Sequence, residues 1–253
     1  MTLLSDPKTN YKANKNQALQ VDTYFLSLAQ SDLSGYNVCP MANKVMAKEN
    51  NPNKSNCSAV CVGSNGKAQQ FPDIMKARIK KTKRFFEDKN NFMTELVVEI
   101  AKAIIKSESK NITPTFRLNS YSDIRWESVK VDRFGNNTIF ELFPDVQFYD
   151  YTKLENRNEL PHNYNLNYSH WGKWGATNNA MKQGQNVAMV FNVKKTDKLP
   201  KMFKGRRVVD GDKTDLRTPQ NDGLNAIVGL RAKMSKANID KELNKTTSFV
   251  VRA

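Results

Sequence analysis

The sequence predicts an α/β fold arranged as an open or partial (β/α) barrel, similar to a TIM barrel. Three observations lead to this prediction. Eight short strand-like runs are spread along the 253 residues, helical patterns separate several of them, and a long cysteine-bearing loop follows the first strand. Strands that alternate with helices are typical of a parallel sheet, and eight strands are the number that a complete barrel contains.

The first 20 residues differ from the rest of the chain. They are polar, rich in Asn and Lys, and without a clear period, so we expect a loosely held N-terminal arm. Residues 21–253 contain no fixed-period repeat, no low-complexity tract and no convincing linker. The sequence therefore predicts a single α/β domain after the arm.

The predicted strands are short runs of β-branched, aromatic and aliphatic residues bounded by polar residues, Gly or Pro. They are Thr23–Leu28, Thr115–Asn119, Val146–Tyr151, Tyr164–Tyr168, Val187–Val193, Arg206–Val209, Ala226–Leu230 and Thr247–Val251.

Two long helices are predicted between the first and second strands. Pro72 suits the first turn of a helix, and Asp73 suits its positive N-terminus. The expected inner stripe of this helix is Met75, Ile79, Thr82 and Phe86. A clean 3.6-residue period predicts the second helix from Phe92, Leu96, Ile100, Ala103 and Ile104. Shorter helices are predicted at Ser122–Val129 with an Asp123 cap, at Thr138–Phe143 and at Thr177–Lys182.

Composition excludes several classes of protein. The longest apolar run falls short of the roughly 18 residues that a membrane helix requires. The polar N-terminus lacks the apolar core of a signal peptide, so we expect a cytoplasmic protein that does not bind a membrane. Three cysteines, an odd and small number, are not a disulfide framework.

The cysteines lie in one loop, which extends from about residue 31 to 71. Cys39, Cys57 and Cys61 have the spacing C-x17-C-x3-C. Three thiolates suit a 4Fe–4S cluster with one open iron, or a zinc ion with His162 or His170 as the fourth ligand. Cysteines that simply pack in a loop are the alternative.

Polar residues follow most of the predicted strands. In a parallel barrel the carboxyl ends of the strands form the active-site mouth, so these residues are candidates for binding a substrate or cofactor. They are Arg117, Asn119, Asp123, Tyr151, Lys153, Ser169, Asp210, Asp212, Arg217 and Lys233. The aspartates between 210 and 222 suit either a divalent cation or a turn in which they bind their own backbone amides.

The charge of the chain is concentrated in two segments. Lys and Arg number 40 against 25 Asp and Glu, which gives a net charge of +15. Residues 76–84 and 194–207 each contribute +6. These segments predict anion-binding residues at Lys76, Lys80, Lys83, Arg84, Arg206 and Arg207, with a nucleic acid or another polyanion as partner. A solvated helix face is the alternative for the first segment.

Several motifs together resemble the phage-encoded gene product 88 family. They are NVCPMANK, NCSAVCVG, KARIKKTKRFFED, RLNSYSDIRWE, FPDVQFYDYTK, NYNLNYS, VVDGDKTDLRTPQND and IVGLRAK, in this order from about residue 23 to 233. The family in turn is similar in overall pattern to radical S-adenosylmethionine proteins. That resemblance implies a 4Fe–4S cluster on Cys39, Cys57 and Cys61, S-adenosylmethionine as a cofactor, and the cytoplasm of an infected host cell as the location.

Two hypotheses about function follow. The first is a radical-enzyme-like iron–sulfur protein, although its cysteine spacing departs from the usual C-x3-C-x2-C pattern and Val62, not an aromatic residue, follows Cys61. The second is a basic nucleic-acid-binding protein whose cysteines are structural or bind zinc.

Overall fold

The strands follow short runs of β-branched and aromatic residues along the chain. In this computed structural model, the described residues are 2–42, 61, 71–157 and 159–253. They form two compact units. The first contains the described residues within 1–40, 62–150 and 157–165, and the second those within 41–61, 151–156 and 166–253. The single domain after residue 20 that the sequence predicts stays a prediction.

All eight predicted strands are present among the described residues, with shifts of one to three residues at most of their ends. The strands are β1 (Leu4–Ser5), β2 (Val21–Leu26), β3 (Thr113–Arg117), β4 (Lys130–Val131), β5 (Asn137–Thr138), β6 (Gln147–Thr152), β7 (Tyr164–Ser169), β8 (Val187–Phe191), β9 (Met202–Phe203), β10 (Arg206–Asp210), β11 (Ile227–Arg231) and β12 (Val250–Val251).

In the first unit, parallel strands lie side by side in the order in which they occur in the chain. β2 pairs with β3 from Val21 opposite Thr113 to Phe25 opposite Arg117, and β3 pairs with β6 through Thr115 and Phe116. β1 adds an antiparallel edge strand to β2. Since parallel strands share one direction, the segments that follow β2 and β3 leave from the same edge of the sheet.

In the second unit, β8 is the central strand. β11 is parallel to β8 along its whole length, and β10 is parallel to β11. The other side of β8 is shared, because β7 pairs with its first residues and β12 with Val190 and Phe191. β9 is the antiparallel edge strand beyond β10. The carboxyl ends of β7, β8, β10 and β11 therefore also lie at one edge.

The α/β class is confirmed, with a mostly parallel sheet. The described strands do not close into a barrel, and the predicted open or partial barrel stays a prediction. Among the described residues, β1 and β9 each pair with one neighbour only, so the path of paired strands has two open ends. No helix within the described ranges combines the length and the apolar character needed to cross a bilayer.

The helices lie between the strands. They are α1 (Tyr11–Asn14), α2 (Pro72–Glu87), α3 (Lys89–Glu108), α4 (Ile139–Leu142), α5 (Trp174–Lys182), α6 (Pro219–Asp222) and α7 (Lys236–Leu243). Short 3-10 turns occur at Pro7–Thr9, Gln17–Leu19, Pro40–Ala42, Trp126–Ser128 and Asp132–Phe134.

The predicted inner face of α2 is confirmed at Thr82, which is buried, and is wrong at Phe86. Arg78 and Phe85 are the other buried side chains, whereas Phe86 is exposed and stacks on Tyr36 with the ring centroids 4.6 Å apart. The physical reason is that Phe85 packs against Phe92 of α3 and against Trp126.

Two further expectations differ from the structure. The predicted helix Ser122–Val129 is only the 3-10 turn Trp126–Ser128, because the side-chain oxygen of Asn119 accepts hydrogen bonds from the Ile124 amide and the Trp126 indole. The expected loose arm is tied down from Leu3 onward. Leu3 and Leu4 are buried, and their amides donate to the carboxylate of Glu99 on α3 at 2.7 and 2.8 Å.

Candidate functional site

In the first unit, the candidate residues lie where the parallel strands β2, β3 and β6 end. Cys39 belongs to the loop after β2, and its thiol reaches the loop after β3. The thiol donates a hydrogen bond to the carbonyl oxygen of Tyr121 at 3.3 Å and accepts one from the Ser31 amide at 3.4 Å. Cys39 is partly buried. The predicted cysteine is therefore at the edge of the sheet at which a parallel α/β enzyme binds its ligands.

Asn119 organises the loop after β3. Its side-chain oxygen accepts from the hydroxyl of Ser122 at 2.7 Å, in addition to the two donors named above. Its side-chain amide donates to the carbonyl of Ile124 at 2.9 Å. A buried amide with this many partners fixes the backbone of the loop. Asn119 therefore positions the loop that contacts Cys39.

Asp150, in β6, is a fully buried carboxylate that links β6 to the end of β3. It accepts from the amides of Leu118 and Asn119 at 3.1 and 3.0 Å and from the Tyr164 hydroxyl at 3.2 Å, and it lies 3.7 Å from the Arg117 guanidinium. Burial raises the pKa of Asp150 to about 7, against the lowering effects of Arg117 and of the two amides. A carboxyl group with this pKa exchanges its proton near neutral pH.

Asp123 belongs to a second buried charge cluster of the first unit. The guanidinium of Arg157 lies 3.2 Å from Asp123 and 2.5 Å from Glu127, and the Arg157 side chain is 0 % exposed. Both carboxylates face this one guanidinium, so it neutralises charge that burial would otherwise make costly. Asp123, predicted as a helix cap and as a site residue, is thus an ion-pair partner here.

In the second unit, the aspartates after β10 are paired with bases after β11. Arg231 forms two parallel hydrogen bonds to Asp210 at 2.8 and 3.0 Å, and it also reaches Asp212 at 3.2 Å. The Asp212 amide donates to the side chain of Asp210 at 3.1 Å, and Lys233 lies 3.2 Å from Asp212. Hydrogen bonding from Arg231 lowers the pKa of Asp210. The geometry matches the turn interpretation of this loop.

Arg217 is the most buried of the predicted bases. Its guanidinium donates to both oxygens of Asp222 at 2.8 and 3.0 Å, to the Gly211 carbonyl at 2.8 Å and to the Tyr151 hydroxyl at 2.8 Å. These contacts tie α6 to the loop after β10 and bring the predicted residue Tyr151 to Arg217. Arg217 therefore joins three segments that are distant in sequence.

Lys153 and Ser169, which follow β6 and end β7, are also brought together. The Lys153 ammonium donates to the Ser169 hydroxyl at 2.9 Å. The next residue, His170, is buried, and one ring nitrogen lies 2.8 Å from the hydroxyl of Thr177. Burial lowers the pKa of His170 to about 4, so its ring is neutral at pH 7. His162, by contrast, contacts the carbonyl of Pro144 at 3.0 Å.

The predicted anion-binding residues have different environments. Lys76, Lys80 and Lys83 are exposed along α2, with Lys76 close to Asp73, whereas Arg84 pairs with Glu95 at 2.6 Å. Arg206 and Arg207 donate to backbone carbonyls. The Arg206 guanidinium donates to the carbonyls of Met181 and Gln185 near the end of α5, and the Arg207 guanidinium donates to the carbonyl of Asp222.

Two of the three predicted cysteine ligands, Cys39 and Cys61, lie among the described residues. Cys57 lies outside the described residues, and Cys61 is partly buried. Within the described ranges, no three His, Cys, Asp or Glu side chains gather in an arrangement that could hold a metal ion. The proposed set of three cysteines thus stays a prediction.

The sequence did not predict that three charged residues, namely Arg78, Asp150 and Arg157, are buried, although Asp150 lies near the end of a predicted strand. Arg78 lies among five other bases in residues 76–84, and such a run of charge is typical of a solvent-exposed helix face. Arg157 sits in a polar run between strands, where a loop residue is the ordinary expectation. Only Asp150 had a usable signal, since a carboxylate within the predicted strand Val146–Tyr151 indicates a buried partner.

The comparison with protein families identifies one relationship. A family model described as gene product 88 matches residues 2–251. No curated protein and no solved structure matches the chain. The chain therefore belongs to the gene product 88 family, and the resemblance drawn from its motifs is confirmed.

Proposed function

We propose that this member of the gene product 88 family is a metal-dependent enzyme similar to radical S-adenosylmethionine proteins, with a 4Fe–4S cluster on Cys39, Cys57 and Cys61 and an open (β/α) barrel as its framework. One observation carries the proposal. The Cys39 thiol lies at the carboxyl edge of the parallel strands β2 and β3, in contact with the backbone of both following loops. Ligands of parallel α/β enzymes bind at this edge.

The surroundings of Cys39 fit a metal ligand. An amide that donates to sulfur, as Ser31 does, stabilises the thiolate form and tunes the potential of an iron–sulfur cluster. The hydrogen bond to the Tyr121 carbonyl is lost when the thiol proton leaves, so ligation releases that carbonyl. When bound, a cluster of this kind supplies one electron for the reductive cleavage of S-adenosylmethionine.

The chain itself holds the edge in place. Asn119 and Asp150 fix the loop after β3 through hydrogen bonds to side-chain and backbone donors. Such preorganisation keeps Tyr121, and with it Cys39, at a constant position. In the second unit, Lys153 and Ser169 form a polar pair at the end of β7 that suits an anionic or hydrogen-bonding substrate group.

The test is metal and sulfide analysis of protein purified and reconstituted without oxygen. We expect about four iron atoms per chain and a brown colour, as a 4Fe–4S cluster implies. Cys39→Ala, Cys57→Ala and Cys61→Ala should each lose most of the iron, whereas His162→Ala should retain it. Protein with neither iron nor zinc after reconstitution contradicts the proposal, and stoichiometric zinc that depends on the histidines assigns the cysteines to a zinc site instead.

A second candidate function, nucleic-acid binding, is favoured by one surface of the second unit. We name the exposed lysines Lys194, Lys195, Lys198, Lys201 and Lys204 the lysine surface. Lys204 lies 4.3 Å from the centre of the Trp174 ring. Lysines that contact phosphates next to an aromatic ring that stacks on bases are typical of single-strand binding.

This candidate is tested by binding of single-stranded DNA and RNA at several salt concentrations. Charge reversal at Lys201 and Lys204 should weaken binding and reduce its salt dependence. A second variant reverses the charge of the predicted residues Lys80, Lys83 and Arg84. A control variant reverses the charge of Lys236 and Lys241, which are exposed on α7. Absence of binding at low salt, or an equal effect of the control, contradicts the candidate function.

A further inference from the structure

Among the described residues, the buried guanidinium of Arg78 has no polar partner. It lies on α2 in the first unit and is 8 % exposed. Its Nε and Nη1 atoms are fully buried, and neither has a hydrogen-bond partner in the part of the chain that the structure describes. Among the described residues, the one contact recorded for its charge is the ring of Tyr121, whose centre lies 4.0 Å from the guanidinium carbon.

Such an arrangement is costly for the protein alone. Buried polar groups are nearly always hydrogen-bonded, and buried charges are nearly always paired. A contact with the face of an aromatic ring offsets only part of the cost of burying a guanidinium, because it satisfies none of the N–H donors. The other buried bases of the first unit are paired: Arg157 with two carboxylates, and Arg117 with Asp150. Arg78 is thus an exception within its own unit.

The electrostatic surroundings of Arg78 favour an anion. Residues 76–84 of α2 carry six bases and no acid. Lys81 is partly buried and donates to the Leu3 carbonyl, and burial, together with the charge of Arg78, lowers its pKa although the charge of Glu99 raises it. Several positive charges close together create a local field in which an anion is stabilised.

We propose that Arg78 and Tyr121 form a binding site for an oxyanion, a carboxylate or a phosphate group, next to Cys39. The planar guanidinium provides the donors that such groups accept, and the Tyr121 ring holds it in one orientation. Tyr121 also contacts Cys39 through its carbonyl oxygen, so the oxyanion group of a ligand would be held at the carboxyl edge of β2 and β3. This proposal goes beyond the proposed function and does not require a metal.

The direct test follows the Nε–H resonance of Arg78 by nuclear magnetic resonance during titration with inorganic phosphate and, separately, with acetate at constant ionic strength. The signal is assigned by its loss in Arg78→Met. We expect one of the two anions to shift this resonance with saturation, and the anion that binds identifies the ligand group as phosphate or carboxylate. A resonance that neither anion shifts would overturn the proposal.

Calorimetric titration of variants separates binding from general charge effects. Arg78→Met should abolish binding, and Arg78→Lys should weaken it about tenfold or more, because a lysine lacks the fork of donors. The control Lys80→Met removes an exposed base of the same helix and should change the affinity less than about threefold. Equal affinities of Arg78→Met and Lys80→Met would overturn the proposal.

Thermal unfolding distinguishes the site from a structural role. In buffer without the anion, Arg78→Met should unfold at the same temperature as the parent chain or higher, since the variant removes an unpartnered buried charge. With saturating anion, the parent chain should gain stability and the variant should not. Two results together would assign Arg78 a purely structural role and overturn the proposal. Arg78→Met would be much less stable than the parent chain in both buffers, and the anion would not stabilise the parent chain.

Discussion

Asp150 and Asp210 lie near the carboxyl ends of parallel strands in the two units, and their surroundings differ. Asp150 is 0 % exposed, and burial raises its pKa to about 7 although Arg117 lies 3.7 Å away. Asp210 is partly exposed, and two hydrogen bonds from Arg231 lower its pKa. These two aspartates thus have opposite pKa shifts, because desolvation dominates at Asp150 and hydrogen bonding from Arg231 dominates at Asp210.

This difference extends to the neighbouring charges. In the first unit, Arg78, Arg117 and Arg157 are all buried. In the second unit, the cluster of Asp210, Asp212, Arg231 and Lys233 lies closer to solvent, and the Lys233 side chain is 74 % exposed. Breaking the buried ion pairs of Arg157 should therefore cost more stability than breaking the Asp210–Arg231 pair. Asp150 should also respond more to pH near neutrality than Asp210.

The largest effect is expected at Arg157. Arg157→Met leaves Asp123 and Glu127 buried without their guanidinium, so the free energy of unfolding should fall by about 3–5 kcal/mol. Equilibrium denaturation with urea measures this loss. The control is Arg125→Ala, whose side chain is 45 % exposed at 4.0 Å from Glu127 and should cost less than about 1 kcal/mol. Equal losses in the two variants would remove the proposed contrast between buried and exposed pairs.

The next effect is the pH dependence that Asp150 introduces. Its pKa of about 7 in the folded chain is higher than the ordinary value of 3.8, so the folded state binds the extra proton between about pH 4 and 7. Stability should therefore decrease as the pH rises through this interval, by up to about 1.4 kcal/mol per pH unit. Asp150→Asn should flatten this slope.

Asp210→Asn is the matched control for that experiment. The pKa of Asp210 is lowered, so its stabilisation is present above the unfolded pKa and is lost as the pH falls below about 4. The Asp210 variant should therefore change the slope only in acid. If both variants change the slope of stability over the same pH interval, the two aspartates do not have opposite pKa shifts.

A smaller effect is expected at Arg231. Arg231→Met removes the two hydrogen bonds to Asp210 but leaves the carboxylate with access to water and with the Asp212 amide as donor. The expected loss of stability is about 1–2 kcal/mol, measured by urea denaturation. A loss as large as that of Arg157→Met would show that the second cluster is as strongly desolvated as the first.

The smallest effect is expected at Lys233. Its ammonium lies 3.2 Å from Asp212, but the side chain is largely exposed. Lys233→Ala should change the free energy of unfolding by less than about 0.5 kcal/mol, and high salt should remove even this difference. A salt-independent loss above about 1 kcal/mol would contradict the assignment of Lys233 as a solvent-exposed ion-pair partner.

Much of the fold is predictable from local pattern. The eight predicted strands are present because each is a short apolar or aromatic run between breakers, and α3 buries Phe92, Leu96, Ile100 and Ala103 as its period predicts. The short helix α4 is capped by Thr138, whose hydroxyl accepts from the Glu141 amide while the Glu141 carboxylate accepts from the Thr138 amide. Such a reciprocal cap is a property of four consecutive residues.

The sequence indicates which polar residues lie at strand ends, but it does not predict which of their side chains contact one another. The rule that polar residues gather at the carboxyl ends of parallel strands correctly indicates where Asn119, Tyr151, Ser169 and Asp210 lie. It does not indicate that Tyr151 meets Arg217, or that Lys153 meets Ser169, because these contacts depend on strand register and loop path. The burial of Arg78 depends in the same way on which face of α2 packs inward.

By itself, the sequence determined the α/β class, the order of strands and helices, the motifs of the gene product 88 family and the concentration of bases in two segments. These properties depend on neighbours in the chain, whose periodicity and capping act over a few residues. Only the tertiary structure decided which charges are buried and paired. Desolvation and pairing depend on residues that are tens of positions apart, such as Asp150 with Arg117 and Arg231 with Asp210.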